Sequence, residues 1–275
     1  MKLFCAPLAC SLLITGSLGA TLARADMMPL AAHKAVYDLK MIKSTGGKAL
    51  SDARTMIALE FSGSSCDGYA STFRQLMELT PGEGAVRQSE MRSVTFEDGE
   101  GSTFRFKVQS TIDGVAGDDL DGRAVRTPEG NVSVRLDRPE IKKSDLPDKA
   151  IFPTDHIRHI IAAAKGGEPT LAVKVFDGSD TGVKVFDTLA IIGKLSVAKA
   201  PESAFQVPEL AEMAHWPVII SYFTVGKNEN APDYVLSFDL YEDGVARALK
   251  LDYGDFILAG DISKLEFLPV AACKN

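Results

Sequence analysis

Apolar and polar residues alternate with a period of two along most of this chain. Over residues 33–43, Val36 falls on one face and Tyr37, Leu39 and Met41 on the other, the signature of a half-buried strand. Thr45-Gly46-Gly47 reads as a turn. From Ala53 to Phe61, Met56, Ala58 and Glu60 oppose Ile57, Leu59 and Phe61, and Tyr69 to Leu79 runs extended again. These segments leave no room for crossover helices, so they predict antiparallel hairpins. Asp-Gly recurs at 67–68, 98–99, 113–114, 121–122, 177–178 and 243–244, mostly between alternating segments, where it predicts tight hairpin turns. Phe104 and Phe106 share one face, as do Val132 and Val134. The pentapeptide Val-Lys-Val-Phe-Asp stands at 173–177 and again at 183–187, which predicts the two arms of one hairpin. Val218 to Val225, Tyr234 to Tyr241, Val245 to Tyr253 and Phe256 to Leu268 predict a four-strand meander.

The period changes once. Ile157, Ile160, Ile161 and Ala164 fall at i, i+3, i+4 and i+7 after Phe152-Pro153-Thr154-Asp155 and before Gly166-Gly167. This predicts one α-helix over about 154–165, with Thr154 as its N-cap. A second short helical turn is expected between Pro208 and Trp216. Residues 139–153 are the least regular stretch and read as a connection. Ten or more strands with one helix predict a mainly β fold, a closed or nearly closed antiparallel sheet, since closure removes exposed edges. The helix is expected to plug or cap it.

The first residues set the compartment. Lys2, the apolar and small-residue run from Leu8 to Leu22, and Ala23-Arg24-Ala25 read as a cleaved secretory signal over residues 1–25. A single mature domain is then expected over 26–275, not spanning a membrane. Losing Lys2 and Arg24 leaves 28 basic residues against 37 acidic ones, a net charge of about −9. That balance argues against a nucleic-acid partner, which needs a basic patch. Of four cysteines, Cys5 and Cys10 leave with the signal. Cys66 and Cys273 remain, and in an exported chain an even count reads as a disulfide. Unpaired thiols and pairing between chains are the alternatives. A loop of about 200 residues closed this way contributes roughly 5 kcal/mol on the chain-entropy model.

Few residues suggest chemistry. His156 and His159 stand three apart on the expected helix, but with only Asp155 beside them they fall short of a four-ligand zinc set. Asp118-Asp119-Leu120-Asp121-Gly122 departs from a calcium loop at Gly117 and Pro128 and reads as a charged hairpin. No G-x-S-x-G, P-loop or C-x-x-C occurs in the mature chain. No catalytic, metal or cofactor site is therefore assigned, and the expected function is non-enzymatic. Trp216, Phe223, Phe238, Phe256 and Phe267 either fill an ordinary core or line a cavity for a lipid or a lipoprotein acyl chain.

Several stretches, in order, carry a family resemblance. They are His33-Lys34-Ala35-Val36-Tyr37-Asp38-Leu39, Cys66-Asp67-Gly68-Tyr69, Phe73-Arg74-Gln75, Phe152-Pro153-Thr154-Asp155-His156, and Asp252-Tyr253-Gly254-Asp255-Phe256 running through Leu265-Glu266-Phe267-Leu268 to Cys273. Together they resemble the EipB-type cell-envelope-integrity proteins of alphaproteobacteria over essentially the whole mature chain. The resemblance implies a periplasmic β-spiral, a broken antiparallel barrel with an internal helix. It implies a disulfide between Cys66 and Cys273, a role in keeping the envelope intact under stress, and a periplasmic tetratricopeptide-repeat partner. It implies no enzymatic activity.

Overall fold

The computed structural model describes residues 29–45, 50–146, 149–197, 208–225 and 231–270. Residues 1–25, read above as a secretory signal, and Cys273 lie outside them. The alternating segments form β1 (His33–Ser44), β2 (Leu50–Ser64), β3 (Gly68–Pro81), β4 (Arg87–Glu97), β5 (Thr103–Ile112), β6 (Val115–Arg126), β7 (Val132–Arg138), β8 (Lys142–Leu146) and β9 (Ala150–Ile151). The helix α1 (Pro153–Lys165) follows, then β10 (Thr170–Val175), β11 (Phe186–Ile192), β12 (His215–Thr224), β13 (Tyr234–Tyr241), β14 (Ala246–Asp252) and β15 (Phe256–Phe267).

All fifteen described strands join one sheet, in the order β8 to β1 and then β15 back to β9. The first strand is therefore hydrogen-bonded to the last, from His33 opposite Phe267 to Ser44 opposite Phe256. The two sheet edges, β8 and β9, are neighbours in sequence. Neighbouring strands pair antiparallel except β9 and β10, which run parallel. Charge and brevity protect the edges: β8 reads Lys-Lys-Ser-Asp-Leu, and β9 has two residues.

The barrel is thus open between β8 and β9, and side-chain packing joins what hydrogen bonds do not. Phe104 and Phe106 of β5 point inward and meet Phe152, just before α1, and Phe176, just after β10. Phe104 stands 5.2 Å from Phe152 and Phe106 stands 5.7 Å from Phe176, ring centre to ring centre. The turn after Phe176 lies so close to β5 that a Cβ on Gly178 would sit 2.4 Å from the Phe106 ring. The end of one arm wraps over the end of the other, which makes the sheet a β-spiral. A larger core fills the opposite side and takes in Ile160 and Ile161 of α1 with Tyr37, Leu39, Trp216 and Leu258.

Several expectations are corrected in detail. The stretch 139–153 is not a bare connection: it carries both edge strands and the break in the barrel. The second helical turn is a single 3-10 turn at Pro208–Leu210, and Trp216 already belongs to β12. Asp121-Gly122 is no hairpin turn. It lies mid-strand in β6, where Gly122 leaves room for Phe106, 2.7 Å from where its Cβ would be. Asp119 and Asp121 both pair there with Arg138 across β7. The pentapeptide copies do form one antiparallel pair, but the strand begins only at Phe186, with Val173 opposite Thr188.

Thr154 is not the N-cap of α1. The helix starts one residue earlier, with Pro153 at its first position and extended Phe152 as N-cap, which makes no side-chain cap. The orphan amides are met instead by Glu97 at the end of β4. Its Oε2 accepts the Thr154 N–H at 2.8 Å and its Oε1 accepts the Asp155 N–H at 3.0 Å.

A two-lobed apolar cavity inside the spiral

The inward faces of β1 to β4 and β13 to β14 do not meet. Between them lies a cavity of two adjoining lobes, about 440 and about 480 Å³. Leu59, Phe73, Met91, Leu236, Ala246 and Leu249 line both. Each occupies an inward position of its strand, so the period-two pattern itself makes the wall apolar. The first lobe also reaches Ile157 of α1 and Phe238 of β13; the second ends at Tyr37, Tyr234 and Tyr253. Both volumes fall in the range of small-molecule sites, roughly 300–1,000 Å³. A larger hollow of about 590 Å³ has Lys40, Arg54 and Glu78 in its wall; Arg54 and Glu78 pair with one another.

A few polar groups face the lobes. His33 is buried, and its Nδ1–H donates to the Ala31 carbonyl at 2.8 Å. Burial lowers its pKa, against the pull of Asp243. Burial raises the Asp243 carboxyl, which also lines the first lobe. Asp177 accepts the Ser179 N–H at 2.9 Å and the Ser179 hydroxyl at 2.7 Å; burial raises its pKa too, despite the nearby Lys184 ammonium. In the second lobe Tyr37 donates to the Ala246 carbonyl at 3.0 Å. The Gln75 amide approaches the Tyr253 hydroxyl, but its Nε2 is cut off from solvent and reaches no hydrogen-bond partner in proper geometry among the described residues. Neither lobe has a lysine or arginine on its wall.

The helix is positioned by charge as well as by its apolar stripe. Glu97 is 2 % exposed, and burial pushes its pKa up to about 7 against the two amides that favour the carboxylate. Asp155 pairs with Arg126 at 3.1 Å. The Arg158 guanidinium lies over the Tyr69 ring at 4.8 Å and donates to the Gly99 carbonyl at 3.2 Å. These contacts hold α1 across the lumen, with Ile157 turned to the cavity.

A family model for EipB-like proteins matches residues 24–269. The chain belongs to the EipB-like family. It is 30% identical over 243 residues to the cell envelope integrity protein EipB of Brucella abortus (strain 2308), covering 88% of this chain and 86% of that one. It also superposes with a TM-score of 0.83 and 29% identity on a crystal structure from Brucella abortus described as a beta-barrel-like protein of a domain of unknown function, over 88% of this chain and all of that one.

In this EipB-like chain the aromatic residues singled out from sequence go to different places. Phe238 lies on the wall of the first lobe. Trp216 is buried in the larger core. Phe223 takes the outward parity of β12, with exposed Pro217 and Ile219. Phe256 packs beside Tyr253 at 5.0 Å, at the start of β15, and Phe267 at its end packs on the larger core. Cys66 sits in the turn between β2 and β3, and Cys273 lies outside the described residues. His156 and His159 diverge. The Thr188 hydroxyl donates to the Val173 carbonyl at 2.8 Å and so receives the proton of His156 Nε2, 3.4 Å away. His159 Nδ1–H donates back to the Asp155 carbonyl at 2.8 Å. Among the described residues no group of three or more His, Cys, Asp or Glu is placed to hold a metal ion, and no helix is long and apolar enough to cross a membrane.

Sequence reasoning passed over Glu97, Asp177 and Asp243. A signal for Glu97 was present: it shares the inward parity of Met91, Ser93 and Thr95 in β4. Asp177 and Asp243 each precede a glycine, and turn chemistry accounted for them without their burial.

Proposed function

We propose that this EipB-like protein supports cell-envelope integrity as a non-enzymatic carrier that holds the acyl chain of a lipid or lipoprotein inside the spiral. The observation that carries the reading is the continuous apolar wall shared by the two lobes, Leu59, Phe73, Met91, Leu236, Ala246 and Leu249. Apolar chains enter such a space by the ordinary burial term, about 25 cal/mol per Å². The envelope role follows the related Brucella protein, whose name states it. Native mass spectrometry of protein purified from its own periplasm tests the reading: a stoichiometric lipid adduct is expected, and protein that is always empty overturns it.

A second reading places the function in a protein partner, of the tetratricopeptide-repeat kind implied by the family resemblance. It is favoured by the outer face of β11 and β12, where Leu189, Ile191 and Ile219 are exposed side by side, since clustered surface apolar groups mark interaction sites. Substituting all three by serine should abolish co-purification of such a partner and leave cavity binding unchanged. Under either reading we propose export by the signal over residues 1–25 and a disulfide between Cys66 and Cys273.

A further inference from the structure

We propose that the cavity is selective for acyl chains whose carbonyl is uncharged, as in an ester or amide, and rejects the free carboxylate of the same chain. This rests on the carrier reading above and names its ligand class.

The argument is one of charge. The two lobes draw their walls from seven strands, the start of α1 and neighbouring turns, yet present no lysine or arginine. Their ionisable groups with acidic side chains, Asp177, Asp243 and Asp252, add negative charge or none. His33 spends its Nδ1–H on the Ala31 carbonyl, and burial disfavours its cationic form. A carboxylate carried into this space gives up its hydration and finds no cation, and an unpaired buried charge is among the costliest arrangements in a protein. An ester or amide carbonyl carries no such penalty and needs only a donor. One is at hand: Gln75 Nε2, buried at the second lobe beside the Tyr253 hydroxyl and with no hydrogen bond of good geometry among the described residues. A buried donor without a good hydrogen bond is destabilising, and a ligand carbonyl accepting from it removes that cost.

The test compares matched probes below their aggregation limits. Displacement of a neutral fluorescent apolar dye from the purified protein at pH 7.5 is measured with methyl palmitate, monopalmitoylglycerol and palmitate. The two esters are expected to bind at least tenfold more tightly than the carboxylate. Equal binding, or tighter binding of palmitate, overturns the selectivity while leaving the carrier reading intact. No displacement by any probe, with no dye uptake, overturns both. Two variants of closely similar length read the residue itself, each checked by its melting temperature. Gln75→Met should lower ester affinity several-fold relative to that of the dye. Gln75→Lys should place a cation at the wall and bring palmitate to within threefold of the esters, or beyond them. If neither variant shifts the ratio, Gln75 is not the donor and the assignment fails.

Discussion

Glu97 caps a helix far along the chain: its Oε2 accepts the amide of Thr154, fifty-seven residues later, at 2.8 Å. This bond fastens the end of β4 to α1 and so ties a strand of the cavity wall to the helix that crosses the lumen. Because Phe152 makes no side-chain cap, the interaction has no local substitute. Glu97→Ala should destabilise the fold by about 2–3 kcal/mol, the loss of a cap together with two newly unmet amides. Glu97→Gln keeps one acceptor and should cost about half as much. Urea denaturation of both variants checks the order.

The same carboxyl makes stability depend on pH. Its folded pKa, pushed up to about 7 by burial, stands above the ordinary 4.5. The native state therefore holds the proton more tightly, and this group's contribution to stability falls as pH rises from about 4.5 to about 7. His156 has the opposite sign. Burial lowers it from 6.5 to about 4, so the unfolded state takes up the proton first, and stability falls as pH drops through that interval. The two terms oppose one another between about pH 4.5 and 6.5. Glu97→Gln should leave a protein that loses stability more steeply on acidification, and His156→Gln one that loses it less. Chemical melts at pH 5, 6 and 7.5 decide; parallel curves for wild type and both variants would remove the assignment.

Gly260 faces Leu39 across the pairing of β1 with β15. A Cβ there would stand 1.9 Å from the Asp38 carbonyl oxygen, and backbone cannot move aside as a flexible side chain can. Gly260→Ala should cost several kcal/mol, at the upper end of single substitutions, because it parts the strands that join the two ends of the fold. Gly114→Ala is the control. Its φ is +77° but nothing lies within 4 Å of the added atom, so it should cost only the backbone strain, about 1 kcal/mol.

The proposed bond between Cys66 and Cys273 predicts a specific pattern of thermal stability. Cys66→Ser and Cys273→Ser should lower the melting temperature equally, and the double variant should be no worse than either. Thiol counting on the mature protein should find no free thiol in a monomer band without reductant and two with it. Two free thiols before reduction, or widely different single variants, would dissolve the pairing.

Much of this molecule is written in local pattern. The period-two alternation of residues 33–43 and 53–61, and the meander from Val218 to Leu268, are each settled by which side chains avoid water, a property a strand expresses residue by residue. The change to a period near 3.6 at Ile157, Ile160, Ile161 and Ala164 places α1 for the same reason. Where distant segments meet is not written in that pattern. That Glu97 caps α1, that Gly122 and Gly178 are small because Phe106 needs their space, that the barrel opens between β8 and β9, and that Leu59, Met91 and Leu249 leave a hollow while Trp216 does not line it, all depend on contacts between residues tens to hundreds of positions apart. Alternation says which face of a strand turns inward. It carries no information about whether the opposing inward faces touch, because that distance is set by the curvature of the whole sheet.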